Sequence, residues 1–357
     1  MKITLLGAGA MGSALTFPLA ENSHEIRLCG TEYDRETIAA LKNNEAHPKL
    51  DVQLPETVQY FDAEELEAAI EETGVLLLCV NTKGMRPAMD ALLPYIKPEL
   101  TLVTIAKGFF VIEEAVLPIT SGIEAYMQVR GMTRLPTVAC MVGPSIAREL
   151  TRQSPTAVNL STTADEQQTR KLANAFSSQH FSVEPCQDLK GLEICAAFKN
   201  IYSIALSWPL GLGQEGKGEK NGPTNLKAIL LLQALDELEQ IIRAAGGRPE
   251  TAHGLAGLGD LVATAGSGRN GSFGKLLGSG QTTAEAMKTL QNQGIHTVEG
   301  FDATPQGLRY VETLKSLDSQ SLPLLSAIGE VIEGTISPQS FVSEMNLKQY
   351  TGHTKYD

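Results

Sequence analysis

The chain's candidate polar chemistry rests on a few residues in unexpected company. Lys199 and Asn200 interrupt the otherwise apolar helical stretch Ile194-Cys195-Ala196-Ala197-Phe198. An ammonium there either snorkels to water or is partly buried with a lowered pKa, and only the second suits acid–base work near neutral pH. Lys107 follows the apolar strand segment 101–106, where a solvated surface lysine competes with one that grips a substrate phosphate or alcohol. Asp260 closes the run Gly254-Leu255-Ala256-Gly257-Leu258-Gly259 and opens a helix, where a plain capping role is available to it. Arg269-Asn270 precedes a helical segment at 273–277, joining a guanidinium to a helix N-terminus, a pairing suited to phosphate.

The element that would bring a cofactor to these groups stands at the start. Residues 2–6 read as a buried strand that runs into Gly7-Ala8-Gly9-Ala10-Met11-Gly12 and then a helix. Gly7 permits the tight reversal, Gly9 leaves the backbone open to a pyrophosphate, and Gly12 lets the helix pack closely on the strand. A second apolar run, 25–29, closes the unit, and Glu32 lies 20 positions beyond Gly12, where a ribose partner is commonly placed. Glu32 would accept from a free 2′-hydroxyl and repel a 2′-phosphate, whereas Arg35 folded back would reverse that preference.

Strand-like runs at 75–80, 101–106, 137–142, 156–160 and 181–183 alternate with helical patterns at 34–42, 63–72, 85–96, 146–150 and 166–177. The region 112–123 reads as a helix interrupted by Pro118. This alternation predicts a doubly wound, largely parallel α/β sheet. Its carboxyl ends present Asn81-Thr82, Lys107-Gly108 and Gly143-Pro144-Ser145, where ligands of open sheets bind. From 193 onward the pattern is helical only, at 189–207 (stopped by Pro209), 225–244, 258–265, 273–277, 283–291, 305–316 and 324–333. The Gly- and Lys-rich segment 211–223 reads as a mobile loop. The expected organisation is a Rossmann-like domain at 1–188 and an all-helical domain at 189–357.

Bulk properties narrow the partners. The 357 residues exceed one typical α/β core. A net charge of −12 argues against nucleic acid and acidic membrane surfaces, so a phosphorylated substrate needs local Lys and Arg. No apolar run reaches the length of a membrane span, and a first strand at residue 2 leaves no room for a signal peptide. The 5 cysteines show no disulfide or zinc spacing and the 6 histidines form no HxH or HxxxH pair, so reduced thiols, a cytoplasmic setting and no metal are expected.

Taken in order, the glycine turn, Lys107-Gly108, Gly143-Pro144-Ser145-Ile146-Ala147-Arg148-Glu149, Phe198-Lys199-Asn200, the 254–261 run, Gly268-Arg269-Asn270 with Phe273-Gly274, and Val298-Glu299-Gly300 form seven blocks. They resemble NAD(P)-dependent glycerol-3-phosphate dehydrogenases over nearly the whole chain. The resemblance implies interconversion of dihydroxyacetone phosphate and sn-glycerol 3-phosphate, a homodimer, and a place in glycerol phosphate and phospholipid metabolism. It implies that Lys199 is the proton donor and acceptor, with Asp260 orienting it or a substrate hydroxyl. Lys107, Gly143, Ser145, Asn200, Asp260, Thr264, Arg269 and Asn270 would surround the substrate. Gly7, Gly9, Ala10, Met11, Gly12, Thr31, Glu32, Lys107, Ala147, Arg269 and Glu299 would meet NAD or NADP. Two departures stand out: Met11 replaces a usual aromatic, and Gln233 replaces a usual arginine near the expected mouth of the site. The loop 213–223 is also longer than usual. The residues alone leave two other readings open, a reductase of another ketose phosphate or a ketopantoate-like 2-keto acid, and a non-catalytic dinucleotide sensor.

Overall fold

The computed structural model describes residues 1–213, 223–266 and 268–345, so nearly all of the loop at 213–223 lies outside the described residues. Ten strands are present among the described residues: β1 (Lys2–Leu6), β2 (Glu25–Cys29), β3 (Val58–Phe61), β4 (Val75–Leu78), β5 (Thr101–Thr104), β6 (Phe109–Ile112), β7 (Ala115–Pro118), β8 (Thr137–Val142), β9 (Thr156–Thr162) and β10 (Phe181–Pro185). The helices beside them are α1 (Ala10–Glu21), α2 (Arg35–Lys42), α3 (Leu66–Ile70), α4 (Thr82–Leu92), α5 (Ile119–Val129), α6 (Ala147–Leu150) and α7 (Glu166–Phe176). Then follow α8 (Leu189–Ala205), α9 (Trp208–Leu212), α10 (Thr224–Ala244), α11 (Asp260–Thr264), α12 (Gly268–Gly278), α13 (Thr283–Asn292), α14 (Glu299–Thr313), α15 (Pro323–Glu333) and α16 (Pro338–Glu344).

The chain divides into two compact units that interleave in sequence. The first comprises Met1–Lys199, Leu238–Ala263 and Arg309–Leu317, and the second Asn200–Glu237, Thr264–Leu308 and Asp318–Asp357. The first holds an eight-stranded sheet in the order β10-β9-β8-β5-β4-β1-β2-β3. Its pairings are parallel except that between β8 and β9, so the expected largely parallel α/β sheet is present. Strands β1, β4 and β5 are buried along nearly their whole length because helices cover both faces. One core lies on each face: Leu5, Leu15, Ile26 and Phe176 in one, Leu76, Met85, Leu102 and Ile123 in the other.

Several local expectations shift. The segment 112–123 is helical only in its second part: β6 and β7 form an antiparallel hairpin that turns at Glu113, held at φ 52°, and α5 begins at Ile119, directly after Pro118. The aromatic and β-branched run Phe109-Phe110-Val111-Ile112 fits a pleated surface, and proline is tolerated at a strand end. Helix α4 starts earlier than expected because Asn81 caps it, its Oδ1 accepting the Gly84 N–H at 2.9 Å. Pro209 does not stop α8, which ends at Ala205; it lies in the first turn of α9, where its missing N–H costs nothing. Likewise α14 begins at Glu299 and carries Pro305 inside it, and α16 is an additional helix capped by Ser337.

Helices account for the second unit's regular structure among the described residues. Close helix packing there is set by glycine. A Cβ on Gly274 would strike the Ile204 carbonyl, one on Gly278 the Trp208 carbonyl, and one on Gly300 the Asn200 carbonyl. A buried carboxylate also ties the unit together: Glu237 accepts from the N–H groups of Leu324 and Leu325 at 2.6 and 2.9 Å, from Tyr202 Oη at 3.0 Å and from Gln233 Nε2 at 3.0 Å. Gln233 is thus buried at this carboxylate and not on an exposed rim.

Candidate active site

In the first unit, β1 delivers the glycine turn. Gly7 sits at φ 109°, open chiefly to glycine, and its N–H donates to the Cys29 carbonyl at 2.8 Å. A Cβ on Gly12 would collide with the Gly7 carbonyl and approach Cys79 Cβ at 2.8 Å, so close strand–helix packing requires glycine there. A Cβ on Gly9 would meet open space. Gly9 is also the N-cap of α1, with no side-chain cap and no acidic residue in the first turn, where Ala10 and Met11 stand. An accessible, uncapped helix N-terminus behind an open backbone fits a pyrophosphate, so this turn suits a dinucleotide.

At the end of β2, the Thr31 N–H and Oγ1 both donate to Asp34 Oδ2, at 2.9 and 2.7 Å. Glu32 is exposed and bonded to the Tyr33 hydroxyl, which raises the phenol's pKa. Arg35 does not fold back toward the turn; its guanidinium pairs with Glu64. Asp34 was not singled out by the sequence, although its Thr-x-x-Asp spacing is a turn signal.

Lys107, just beyond β5, donates to the Gly143 carbonyl at 3.2 Å, and Ser145 Oγ lies 3.4 Å from the same oxygen. Met11, Lys107 and Ser145 line one small cavity, with Ala147 opening α6 next in the chain. Asp260 joins both lysines: Oδ2 binds Lys107 Nζ, and Oδ1 lies 3.1 Å from Lys199 Nζ. The three side chains are 18%, 2% and 9% exposed for Lys107, Asp260 and Lys199. Asp260 is thereby a lysine partner and not a helix cap; a π-helical turn, Leu255–Gly259, leads into α11 and removes the need for one. Burial pushes the Lys199 ammonium down to about 8; the Lys107 charge pushes the same way and Asp260 opposes both. Behind Lys199, Phe198 packs edge-on against Phe109 at 5.4 Å, fixing the helix face that carries the lysine.

In the second unit, α8 continues into Asn200, whose Oδ1 accepts from Asn270 Nδ2 at 3.0 Å. Asn270 Oδ1 in turn accepts the Gly300 N–H at 2.8 Å. This small network locks the first turn of α12 beside the first turn of α14. Arg269, the neighbour of Asn270, pairs with Glu299 and donates to Thr297 Oγ1 at 2.9 Å. Its side chain is half exposed, a reserve of positive charge at a helix start. Thr264, half-buried, ends α11.

The family model for the N-terminus of NAD-dependent glycerol-3-phosphate dehydrogenase matches residues 2–168, and that for its C-terminus matches 188–343. The NADP(+)-dependent glycerol-3-phosphate dehydrogenase of Archaeoglobus fulgidus is 37% identical over 97% of this chain and 99% of its own. The glycerol-3-phosphate dehydrogenase [NAD(P)+] of Shouchella clausii is 30% identical over 96% of this chain and 95% of its own. The crystal structure of the Coxiella burnetii glycerol-3-phosphate dehydrogenase superposes with a TM-score of 0.79 at 27% identity, covering 96% of this chain and 98% of that one. With both halves matched and whole-length relatives at 30% identity or more, the chain belongs to the NAD-dependent glycerol-3-phosphate dehydrogenase family.

Proposed function

We propose that this chain interconverts dihydroxyacetone phosphate and sn-glycerol 3-phosphate with NAD(P)(H), Lys199 giving and taking the proton. The observation that carries the residue assignment is a buried ammonium, pushed down to about 8, held by Asp260 with Lys107 at that carboxylate's other oxygen. Gly7, Gly9 and Gly12 would hold the pyrophosphate of the reduced dinucleotide, which when bound would supply the hydride for the ketone carbon. As the carbonyl oxygen gains charge, Lys199 stabilises it and delivers its proton; in the reverse direction the neutral amine removes the alcohol proton. Asp260 orients Lys199, and Lys107, Gly143 and Ser145 line the substrate's reacting end. Arg269 and Asn270 take the phosphate, Arg269 exchanging Glu299 for the dianion, with Asn200 and Thr264 as further substrate contacts. Gly7, Gly9, Ala10, Met11 and Gly12 hold the pyrophosphate side of NAD or NADP, with Thr31, Glu32, Ala147 and Glu299 as its outer contacts.

The reading assigns dinucleotide binding to a domain at 1–188 and substrate binding to a helical domain at 189–357. The five free thiols suit a reducing cytoplasm. The family resemblance supports a homodimer, which a sedimentation mass of a single chain would contradict. No helix among the described residues is long and apolar enough to cross a membrane.

Lys199→Ala tests the assignment. Turnover should fall by roughly 10²–10⁴-fold, the usual worth of a positioned general acid, while dinucleotide affinity stays within about twofold. Turnover near that of the unaltered protein would remove Lys199 from the reaction.

A further inference from the structure

His47 lies in the connection between α2 and β3 and is fully buried. Its Nδ1 faces the backbone N–H groups of Lys49 at 3.1 Å and Leu50 at 3.3 Å. Both are donors, so Nδ1 is the bare nitrogen and Nε2 carries the proton. Nε2 stands 3.1 Å from the Ala8 carbonyl and therefore donates to it. The surrounding loop is built around this ring. The His47 N–H donates to the Val52 carbonyl at 2.8 Å, and the His47 carbonyl accepts from Leu50 at 3.1 Å and Asp51 at 2.8 Å. The imidazole is fixed before it reaches the glycine turn.

Ala8 is the middle residue of Gly7-Ala8-Gly9. In a planar trans peptide the carbonyl and the N–H point to opposite sides. Holding the Ala8 oxygen on His47 turns the Gly9 N–H the other way, at the open N-terminus of α1. A flipped peptide would present a carbonyl oxygen to an anion in place of a donor.

We propose that His47 is a positioning residue for the dinucleotide, its neutral ring locking the Ala8–Gly9 peptide so that the Gly9 N–H meets the pyrophosphate. The inference rests on the dehydrogenase reading and adds to it a residue outside the glycine motif. It also carries a pH dependence, because a proton on Nδ1 would oppose two N–H donors and open the loop. The charged groups around the ring are Lys49 and Asp34, with Arg148 donating to the Lys49 carbonyl at 3.3 Å. Burial first, and then Lys49, holds the ring's pKa below the ordinary histidine value, while its backbone bonds and Asp34 oppose. Dinucleotide affinity is therefore constant at neutral pH and falls at acid pH.

The test is titration calorimetry of the full chain with NADH, NADPH and ADP-ribose, which keeps the pyrophosphate and lacks the nicotinamide. His47→Phe should weaken the dinucleotide and ADP-ribose alike by about tenfold, one hydrogen bond to a charged group, and leave turnover at saturating cofactor within about twofold. His47→Gln, which retains a donor, should recover part of the loss. A folded His47→Phe protein with unchanged affinities overturns the proposal. If His47→Phe does not fold, the unaltered protein and His47→Gln decide: affinity must drop at acid pH in the first and stay level in the second, and equal profiles overturn the proposal. Failure of the unaltered protein to bind any dinucleotide would overturn the dehydrogenase reading itself, and this inference with it.

Discussion

At the scale of residues, the proposed chemistry turns on Lys199 having a pKa near the working pH. Reduction of the ketone needs the ammonium, so kcat/KM in that direction should fall as pH rises through about 8; oxidation of the alcohol needs the amine and should rise over the same interval. Lys199→Arg, permanently charged, should lose this limb from whatever activity remains; a limb that persists at the same pH belongs to another group. The sign for stability follows from the same shift. The folded state binds fewer protons than the unfolded chain between about 8 and 10.5, so stability rises with pH across that window. Lysine amid Ile, Ala and Phe was legible from the sequence as a candidate acid, and so was Lys107 at a strand end. The resemblance already set Asp260 beside Lys199 or a substrate hydroxyl; its second bond, to Lys107 153 residues away, was not legible, because side chains that meet through the fold leave no local pattern. His47 was silent for the same reason: its bonds go to Ala8, 39 residues away, and to its own loop's backbone.

At the scale of elements, glycine spacing carried more than its sequence reading assigned to it. At Gly257, Gly274 and Gly300 the atom that a side chain would strike is other backbone. Gly257 packs on the Ala252 carbonyl and Gly274 on that of Ile204. Gly300 makes this testable. It packs on the Asn200 carbonyl and donates its N–H to Asn270, so a methyl group would push α14 from α8 and slacken the Asn270 network. Gly300→Ala should lower stability by about 1–3 kcal/mol, the usual cost of overpacking, read from urea unfolding, and raise KM for the phosphorylated substrate. Unchanged stability would mean that the approach relaxes freely. Periodicity located most elements, yet misread 112–118, the part of 112–123 ahead of α5, where the apolar spacing suits a helix as well as a hairpin with a short turn. The antiparallel pairing to β6 and the left-handed Glu113 decide it, and neither is written in the period.

For the whole molecule, the net charge of −12 makes a phosphorylated substrate depend on a few local cations, of which Arg269 is half exposed at a helix start. The sequence order of the α/β and helical halves was legible, because a period-two and continuous apolar pattern gives way to a helical one near residue 189. The interleaving of the two compact units was not, since segments such as Leu238–Ala263 join the first unit only through long-range packing. The most direct measurement of the central claim is oxidation of NADH and NADPH by the purified chain with dihydroxyacetone phosphate, followed by loss of reduced-nicotinamide absorbance. The account predicts oxidation, with at least one cofactor, that depends on the phosphorylated ketone and yields glycerol 3-phosphate. No ketone-dependent oxidation with either, in protein that still binds a dinucleotide, would contradict it.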